Sequence, residues 1–170
     1  MRIILIAAVA RNNVIGISTS SLPWHIRDEM QFFKSIITNR WHLDTNTNGL
    51  YLRPSPHIGK IAYIMGRNTY DAMPPIKSSI VVGRQHHRTI DKAIEHARHN
   101  MQVDTAFVLG GSRIYDECLR RQLCHRLIIS RIHNSYDGDI FMPTINTQKY
   151  RLETTFAFSP HFNIEQWTRI

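Results

Sequence analysis

The chain has little cysteine: only Cys118 and Cys124 in 170 residues. Two cysteines cannot build a disulfide framework, and no Cys-His pattern with zinc spacing surrounds them, so a stapled secreted scaffold and a structural zinc site are both excluded. Buried free thiols are the expectation. Long apolar runs are lacking too, and none approaches the length that spans a bilayer. The amino terminus, Met1-Arg2 and then Ile3 to Val9, has the flavour of a secretion signal. It continues into Asn12-Asn13-Val14-Ile15-Gly16 without a clear cleavage site, so it reads as a buried strand of a cytoplasmic protein. There are no internal repeats, no low-complexity tract and no Gly-x-Ser-x-Gly elbow, which leaves nucleophilic hydrolysis without support. Acidic residues are few as well: 13 against 21 Lys and Arg, a formal charge of +8 with ten histidines neutral. That charge suits an anionic partner. The cations are scattered, with no dense stripe or aromatic platform, which argues against nucleic acid and fits a small polyanion as well.

What is present fits one domain over residues 1–170, 42% hydrophobic and 20% charged, large enough for a core of its own. Ile3 to Val9, Ile61 to Met65, Ile80 to Val82, Ala106 to Leu109 and Leu127 to Ile132 are short and rich in branched residues. Near-continuous apolar runs of this kind predict strands buried on both faces of a largely parallel sheet. Helical patterns over 26–37, near 67–73, over 90–99 and over 113–119 alternate with them, the mark of an α/β fold with crossovers. Tyr150 to Phe158 and Phe162 to Ile170 flank Ser159-Pro160-His161 and predict a terminal antiparallel hairpin. Residues 41–60 carry turn chemistry and little periodicity, so a surface insertion is the expectation there.

Glu29 is the oddest residue of the helix over 26–37. At about 100° per residue, Ile26, Met30, Phe33 and Ile37 form an apolar stripe widened by Phe32 and Ile36, and Glu29 falls inside that arc. An ionised carboxylate there is costly unless paired or hydrogen-bonded, so either the helix is misread or the acid has a function. A second signal is Leu109-Gly110-Gly111-Ser112-Arg113-Ile114-Tyr115, a strand running through two glycines into a helix. Such a start offers close backbone approach and free N–H groups to a phosphate, although a plain tight turn reads the same way. It is not the Rossmann fingerprint, because the glycine spacing differs. Met65-Gly66-Arg67-Asn68-Thr69-Tyr70 repeats the architecture, and Val82-Gly83-Arg84 is again glycine then cation. Three basic strand ends in one α/β domain predict a ligand with several phosphates at the carboxyl edge of the sheet. His96 and His99 share a helix face and His86-His87 are adjacent, but neither pair has carboxylate or thiol company, so no metal is expected.

These residues, in this order, resemble dihydrofolate reductase nearly end to end. Ile6-Ala7-Ala8-Val9-Ala10 with Val14-Ile15-Gly16 is similar to the family's first strand and the start of its mobile loop. Leu22-Pro23-Trp24 with Glu29, Phe33 and Lys34 is similar to its loop end and substrate helix. Ile64 to Tyr70, Leu109 to Tyr115 and Asp137-Gly138-Asp139-Ile140-Phe141-Met142-Pro143 match three further signatures. The resemblance implies a single-domain dihydrofolate-reductase-like α/β fold, a mostly parallel central sheet flanked by helices with a C-terminal antiparallel hairpin. It implies NADPH-dependent reduction of 7,8-dihydrofolate.

By the same resemblance Glu29 is the active-site acid, Ser130 its hydrogen-bonding partner and Trp24 the holder of an ordered water, with Tyr115 beside the reacting centre. Ile6, Ala8, Met30, Phe33, Lys34, Met73, Lys77 and Leu109 join Glu29 and Ser130 in the substrate pocket. Ala8 and Ile15 bracket the nicotinamide, and Gly16 and Leu22 also bind the cofactor. Gly66, Arg67, Asn68 and Thr69, Gly83 and Arg84, and Leu109 through Tyr115 (Gly110, Gly111, Ser112, Arg113 and Ile114 between them) hold the rest of the cofactor. Arg84 favours the 2′-phosphate, and the Gly110-Gly111 peptide is expected cis. Partners implied are dihydrofolate, with or without a polyglutamate tail, and antifolates such as methotrexate or trimethoprim. A monomer away from membranes is expected. The chain departs from the pattern at Ser18-Thr19-Ser20-Ser21, at Ser112 in place of a third glycine, at Gly83, and at Lys77, the nearest counterpart of the folate-clamping arginine unless Arg53 supplies one. The rival readings are a riboflavin-pathway pyrimidine reductase of similar fold, and a nucleotide- or nucleic-acid-binding module without catalysis.

Overall fold

The computed structural model describes residues 1–18, 22–38, 41–46, 49–54 and 59–170, with the backbone alone for 41–46 and 49–54. Its centre is a seven-stranded sheet. In chain order the strands and helices are β1 (Arg2–Val9), β2 (Val14–Gly16), α1 (Arg27–Ile37), β3 (Trp41–Asn46), β4 (Gly49–Pro54), β5 (Ile61–Gly66), α2 (Arg67–Ala72) and β6 (Ser79–Val82). Then follow α3 (Ile90–Glu95) with a π-helical turn over His96–Asn100, β7 (Thr105–Gly110), α4 (Ser112–Arg120), β8 (Arg126–Ile132), β9 (Ile140–Phe141), β10 (Tyr150–Ala157) and β11 (Phe162–Arg169).

The sheet order is β10-β11-β8-β1-β7-β5-β6. β1 pairs in parallel with both β7 and β8, β5 with β7 and β6, while β11 runs antiparallel to β8 and β10 to β11. The expected mostly parallel sheet with a terminal antiparallel hairpin is therefore the observed one. After β5 the chain steps outward to β6, whereas after β7 it crosses back to β8. The carboxyl ends of β5 and β7 thus feed loops that diverge, the arrangement that opens a ligand crevice in such sheets.

Strand periodicity of two divides the core into layers. Ile3, Leu5, Ala7 and Val9 of β1 face one layer, with Ile90, Ala93 and Ala97 from the α3 region and Ile114, Cys118 and Leu119 from α4. Ile4, Ile6, Ala8 and Ala10 face the other, with Phe32, Ile36 and Ile37 of α1. Cys118 and Cys124 are buried free thiols, as expected.

Several details correct the sequence reading. Residues 41–60 contain an antiparallel pair, β3 with β4, in register from Trp41 opposite Pro54 to Asn46 opposite Gly49. The hairpin lies in a stretch with little apolar alternation, which a search for that periodicity passes over. The short ribbon of β2 with β9 was also not anticipated. Helix α1 turns its buried face to Glu29, Phe32, Ile36 and Ile37, while Met30 is 46% exposed rather than central to an apolar stripe. The helix over 90–99 ends as a π turn.

Candidate active site

Glu29 sits in the first turn of α1, buried, and its carboxyl pKa is pushed up to about 7. Burial is the main cause, the neighbouring charge of Asp28 adds to it, and the Ser130 hydroxyl opposes both. Ser130 lies on β8 between Ala8 of β1 and Ile164 of β11 in the register. Its Oγ stands near enough to favour the carboxylate yet makes no hydrogen bond of full geometry. The indole N–H of Trp24 is likewise buried and without a partner, its ring 5.2 Å from that of Tyr136. Buried polar groups without partners are rare because each costs about 1–3 kcal/mol. Among the described residues Ser130 beside the buried acid, and Trp24 against Tyr136, are such groups, and each marks a place where water or a polar ligand belongs.

The wall next to this acid is apolar. Ile6 and Leu109 are buried, and Ala8, Phe33, Met73 and Ile76 pack half-buried against the same layer. Ile76 was not foreseen as part of this wall, because it lies in a proline-flanked segment without periodicity. Met30, Lys34 and Lys77 are exposed. Tyr115 donates its hydroxyl hydrogen to the Ile6 carbonyl at 2.8 Å from inside the core, and burial holds its phenol far above the usual range. It is therefore a neutral hydrogen-bond donor that fixes β1 against α4.

A second feature stands at the diverging ends of β5 and β7. The Gly110-Gly111 peptide is cis and Gly110 has φ of +102°. A Cβ at Gly110 would lie 2.9 Å from Tyr115 Cζ, one at Gly111 3.3 Å from Thr69 Oγ1, and one at Gly66 3.6 Å from the Gly111 nitrogen. The two strand ends touch through glycines, leaving bare backbone and the Thr69 hydroxyl at the rim. No side chain caps the start of α4, whose first N–H groups point at that rim. Ser112 is directed elsewhere, donating to the Phe141 carbonyl at 2.9 Å. Arg113, Arg84 and Asn68 are exposed. Arg67 holds Asp71 at 2.8 Å and lies 3.1 Å from His86 Nε2. A Cβ at Gly83 would meet the Arg67 Cβ at 3.9 Å, an ordinary contact.

The loop side is tied down by Ser18, Gly138 and Asp139, to which the sequence reading gave no individual role. The Ser18 backbone N–H donates to Asp139 Oδ1 at 2.7 Å and its hydroxyl to Oδ2. A Cβ at Gly138 would collide with Val14. Ile15 packs half-buried, Gly16 is buried against Ile140 and Leu22 is 43% exposed. Residues 19–21 of the altered loop, and the side chain of Arg53, lie outside the described residues. Among the described residues, no group of three or more His, Cys, Asp or Glu is placed to hold a metal ion.

An acid corner and a glycine cradle thus share one edge of the sheet. The family model described as dihydrofolate reductase matches residues 2–44 and 55–168. The chain belongs to the dihydrofolate reductase family. A dihydrofolate reductase of Drosophila melanogaster is 30% identical over 162 residues, covering 85% of this chain and 81% of its own. The type 6 dihydrofolate reductase of Proteus mirabilis is 29% identical over 181 residues and covers 99% of both. The fold agrees with that of an Enterococcus faecalis dihydrofolate reductase complexed with NADP(H) and RAB-propyl, at a TM-score of 0.71 and 19% identity, covering 99% and 96% of the two chains. Against the dihydrofolate reductase model the unmatched stretch is 45–54, which lies inside the β3–β4 hairpin. Family membership also removes the riboflavin-pathway reading.

Proposed function

We propose that this chain reduces 7,8-dihydrofolate to 5,6,7,8-tetrahydrofolate with NADPH, and that Glu29 governs the proton that goes to N5. The observation that carries the reading is a buried carboxyl, single among the described residues, with a pKa of about 7 and the unpartnered Ser130 hydroxyl beside it. At neutral pH such a group is divided between its acid and its carboxylate, the condition under which a side chain both holds a substrate N–H and relays a proton. The Trp24 indole and the Ser130 hydroxyl supply the donors that fix a water and the pterin edge next to it. Phe33, Met73, Ala8 and Ile6 exclude bulk water from the other sides, which strengthens these contacts.

The glycine cradle fits a dinucleotide. Side chains would fill the space at Gly66, Gly110 and Gly111, and their absence leaves room for a pyrophosphate against the N-terminus of α4. In this reading Thr69, Arg67, Arg113 and Arg84 take further phosphate oxygens, and Arg84 favours the 2′-phosphate. Bound there, NADPH supplies the hydride for C6 of the pterin. Lys34 and Lys77, both exposed, serve the glutamate end of the substrate, and the formal charge of +8 favours polyglutamylated forms. Lys77 cannot give the planar two-point contact of arginine, so its grip on the α-carboxylate is a single point charge. No helix among the described residues is long and apolar enough to cross a membrane. A cytoplasmic monomer belongs to the same reading, and light scattering tests the monomer.

Replacing Glu29 by Gln decides between the enzyme and a binding module that has lost catalysis. NADPH binding is expected to persist, while consumption of NADPH absorbance on adding dihydrofolate falls about 10²–10⁴-fold, the usual worth of a positioned proton donor. Undiminished turnover would overturn the assignment. A wild-type protein that never consumes NADPH, with oligonucleotide binding that weakens in salt, would favour the module.

A further inference from the structure

Behind the helix that carries Glu29 lies a cavity of about 460 Å³ with no role in the chemistry above. His25, Arg27 and Gln31 line it from the approach to α1 and its outer face, Asn134 and Tyr136 from the segment after β8, and His161 from the turn between β10 and β11. Ile26 and Asp28 complete the lining, so three separate stretches of chain bring one guanidinium, two imidazoles, two side-chain amides, a phenol and one carboxylate to one space. Among the described residues, the side chains of His25, Arg27, Gln31, Asn134 and His161 hold no hydrogen-bond or ion-pair partner. Most other exposed arginines near carboxylates behave differently: Arg67, Arg120, Arg121 and Arg151 are each engaged with an acid. Arg27 is not, although Asp28 is its neighbour, since side chains one residue apart on a helix do not face each other.

We propose that this cavity is a second binding site, for a small phosphorylated molecule. The volume lies within the ~300–1,000 Å³ range of small-ligand sites and exceeds what a bare ion fills. The planar guanidinium of Arg27 matches two phosphate oxygens, and the imidazole N–H groups of His25 and His161 donate to the remainder. Gln31 and Asn134 offer both donors and acceptors, which suits the hydroxyls of a sugar-sized body. Tyr136 forms the wall shared with Trp24, so an occupant is one aromatic layer away from the acid corner.

Occupancy also bears on Glu29, a consequence that rests on the proposed function, whereas binding itself does not. The charged and titratable neighbours of Glu29 are Asp28 on its own helix and Tyr115 on α4, with the Ser130 hydroxyl on β8. Asp28 lines the cavity and already disfavours the Glu29 carboxylate. A phosphate beside it acts in the same direction and shifts the pH profile of turnover upward.

The test uses ribose 5-phosphate, with ribose and inorganic phosphate as comparison probes, added to the full chain with and without saturating NADPH. Histidine and amide NMR signals report the place of binding. Saturable shifts at His25, Arg27, Asn134 and His161 are expected for ribose 5-phosphate, weaker ones for inorganic phosphate and none for ribose. Arg27→Glu and His161→Ala, both at exposed positions, should each weaken binding about tenfold, or ~1.4 kcal/mol. Shifts confined to the surroundings of Arg67 and Arg84 and abolished by NADPH, absence of saturation, or equal binding by both variants would overturn the proposal. If binding is found and the turnover profile stays in place, the site stands and its coupling to Glu29 is refuted. Failure of dihydrofolate turnover leaves the binding result untouched.

Discussion

The acid corner around Glu29 and the basic rim around Arg67 lie along the same edge of one sheet, yet they use charge in opposite ways. At the corner, one carboxyl is withdrawn from water and its ionisation is resisted by burial. At the rim, Arg67 is half-exposed, balanced by an equally exposed Asp71, with Arg84 and Arg113 exposed as well. Desolvation gives the corner a tunable proton at the expense of stability. Exposure gives the rim long reach toward a phosphate and little grip on the fold. The two regions should therefore fail differently under mutation, pH and salt.

The largest effect belongs to the corner. Because the folded pKa of Glu29 is raised from 4.5 to about 7, the folded state binds the proton more tightly than the unfolded chain. The contribution of Glu29 to stability is thus fully present below pH 4.5 and is lost as pH rises through about 7. A shift of that size corresponds to roughly 3 kcal/mol. Glu29→Gln, which cannot ionise, should gain stability on wild type by that order between acidic and mildly alkaline pH. Urea unfolding of both proteins across the range measures it. A difference that stays flat with pH would mean that water reaches the carboxyl and the corner is no drier than the rim.

A second break falls at the cradle between the regions. Gly110→Ala asks an L-residue to adopt φ of +102° with its Cβ 2.9 Å from the Tyr115 ring. A loss of about 2 kcal/mol is expected, from backbone strain and from displacing a buried phenol that anchors Ile6. Gly111→Ala, whose Cβ would meet only the Thr69 hydroxyl at 3.3 Å, should cost much less stability while weakening NADPH binding. Equal melting temperatures for the two variants would show that Tyr115 moves freely, and would separate the corner from the cradle.

How much of this was legible in the sequence follows the same division. The parallel strands could be read because branched apolar runs buried on both faces have no other common explanation. Glu29 could be read because a charge in the apolar arc of a helix is a contradiction. Met30 was misjudged for the same reason that Glu29 was found: periodicity counts apolar residues without knowing whether they face the core or an open cleft. Contacts between distant stretches left no local mark. Ser18 with Asp139 is one case. His87 with His96 is another, the rings 4.7 Å apart, where sequence spacing pairs His96 with His99 and His87 with His86. Ser130 was assignable through family resemblance alone, since a serine inside an apolar strand has no periodicity of its own.

The smallest effects should come from the rim. Arg67→Ala is expected to weaken NADPH binding about tenfold at low ionic strength, or ~1.4 kcal/mol, with the loss shrinking as salt screens the exposed charge. Its neighbour offers a finer probe. Asp71 stands 2.8 Å from Arg67, side chains 50% and 54% exposed, so the pair itself adds at most ~1 kcal/mol to the fold. Asp71→Asn should leave the melting temperature nearly unchanged. It also removes the negative charge that competes with a cofactor phosphate for the guanidinium, so NADPH should bind slightly tighter. Fluorescence titration with NADPH at two salt concentrations reads both changes. Weaker binding in Asp71→Asn would show that the carboxylate aims Arg67 at the phosphate rather than competing for it, and the rim would then share the preorganised character of the corner.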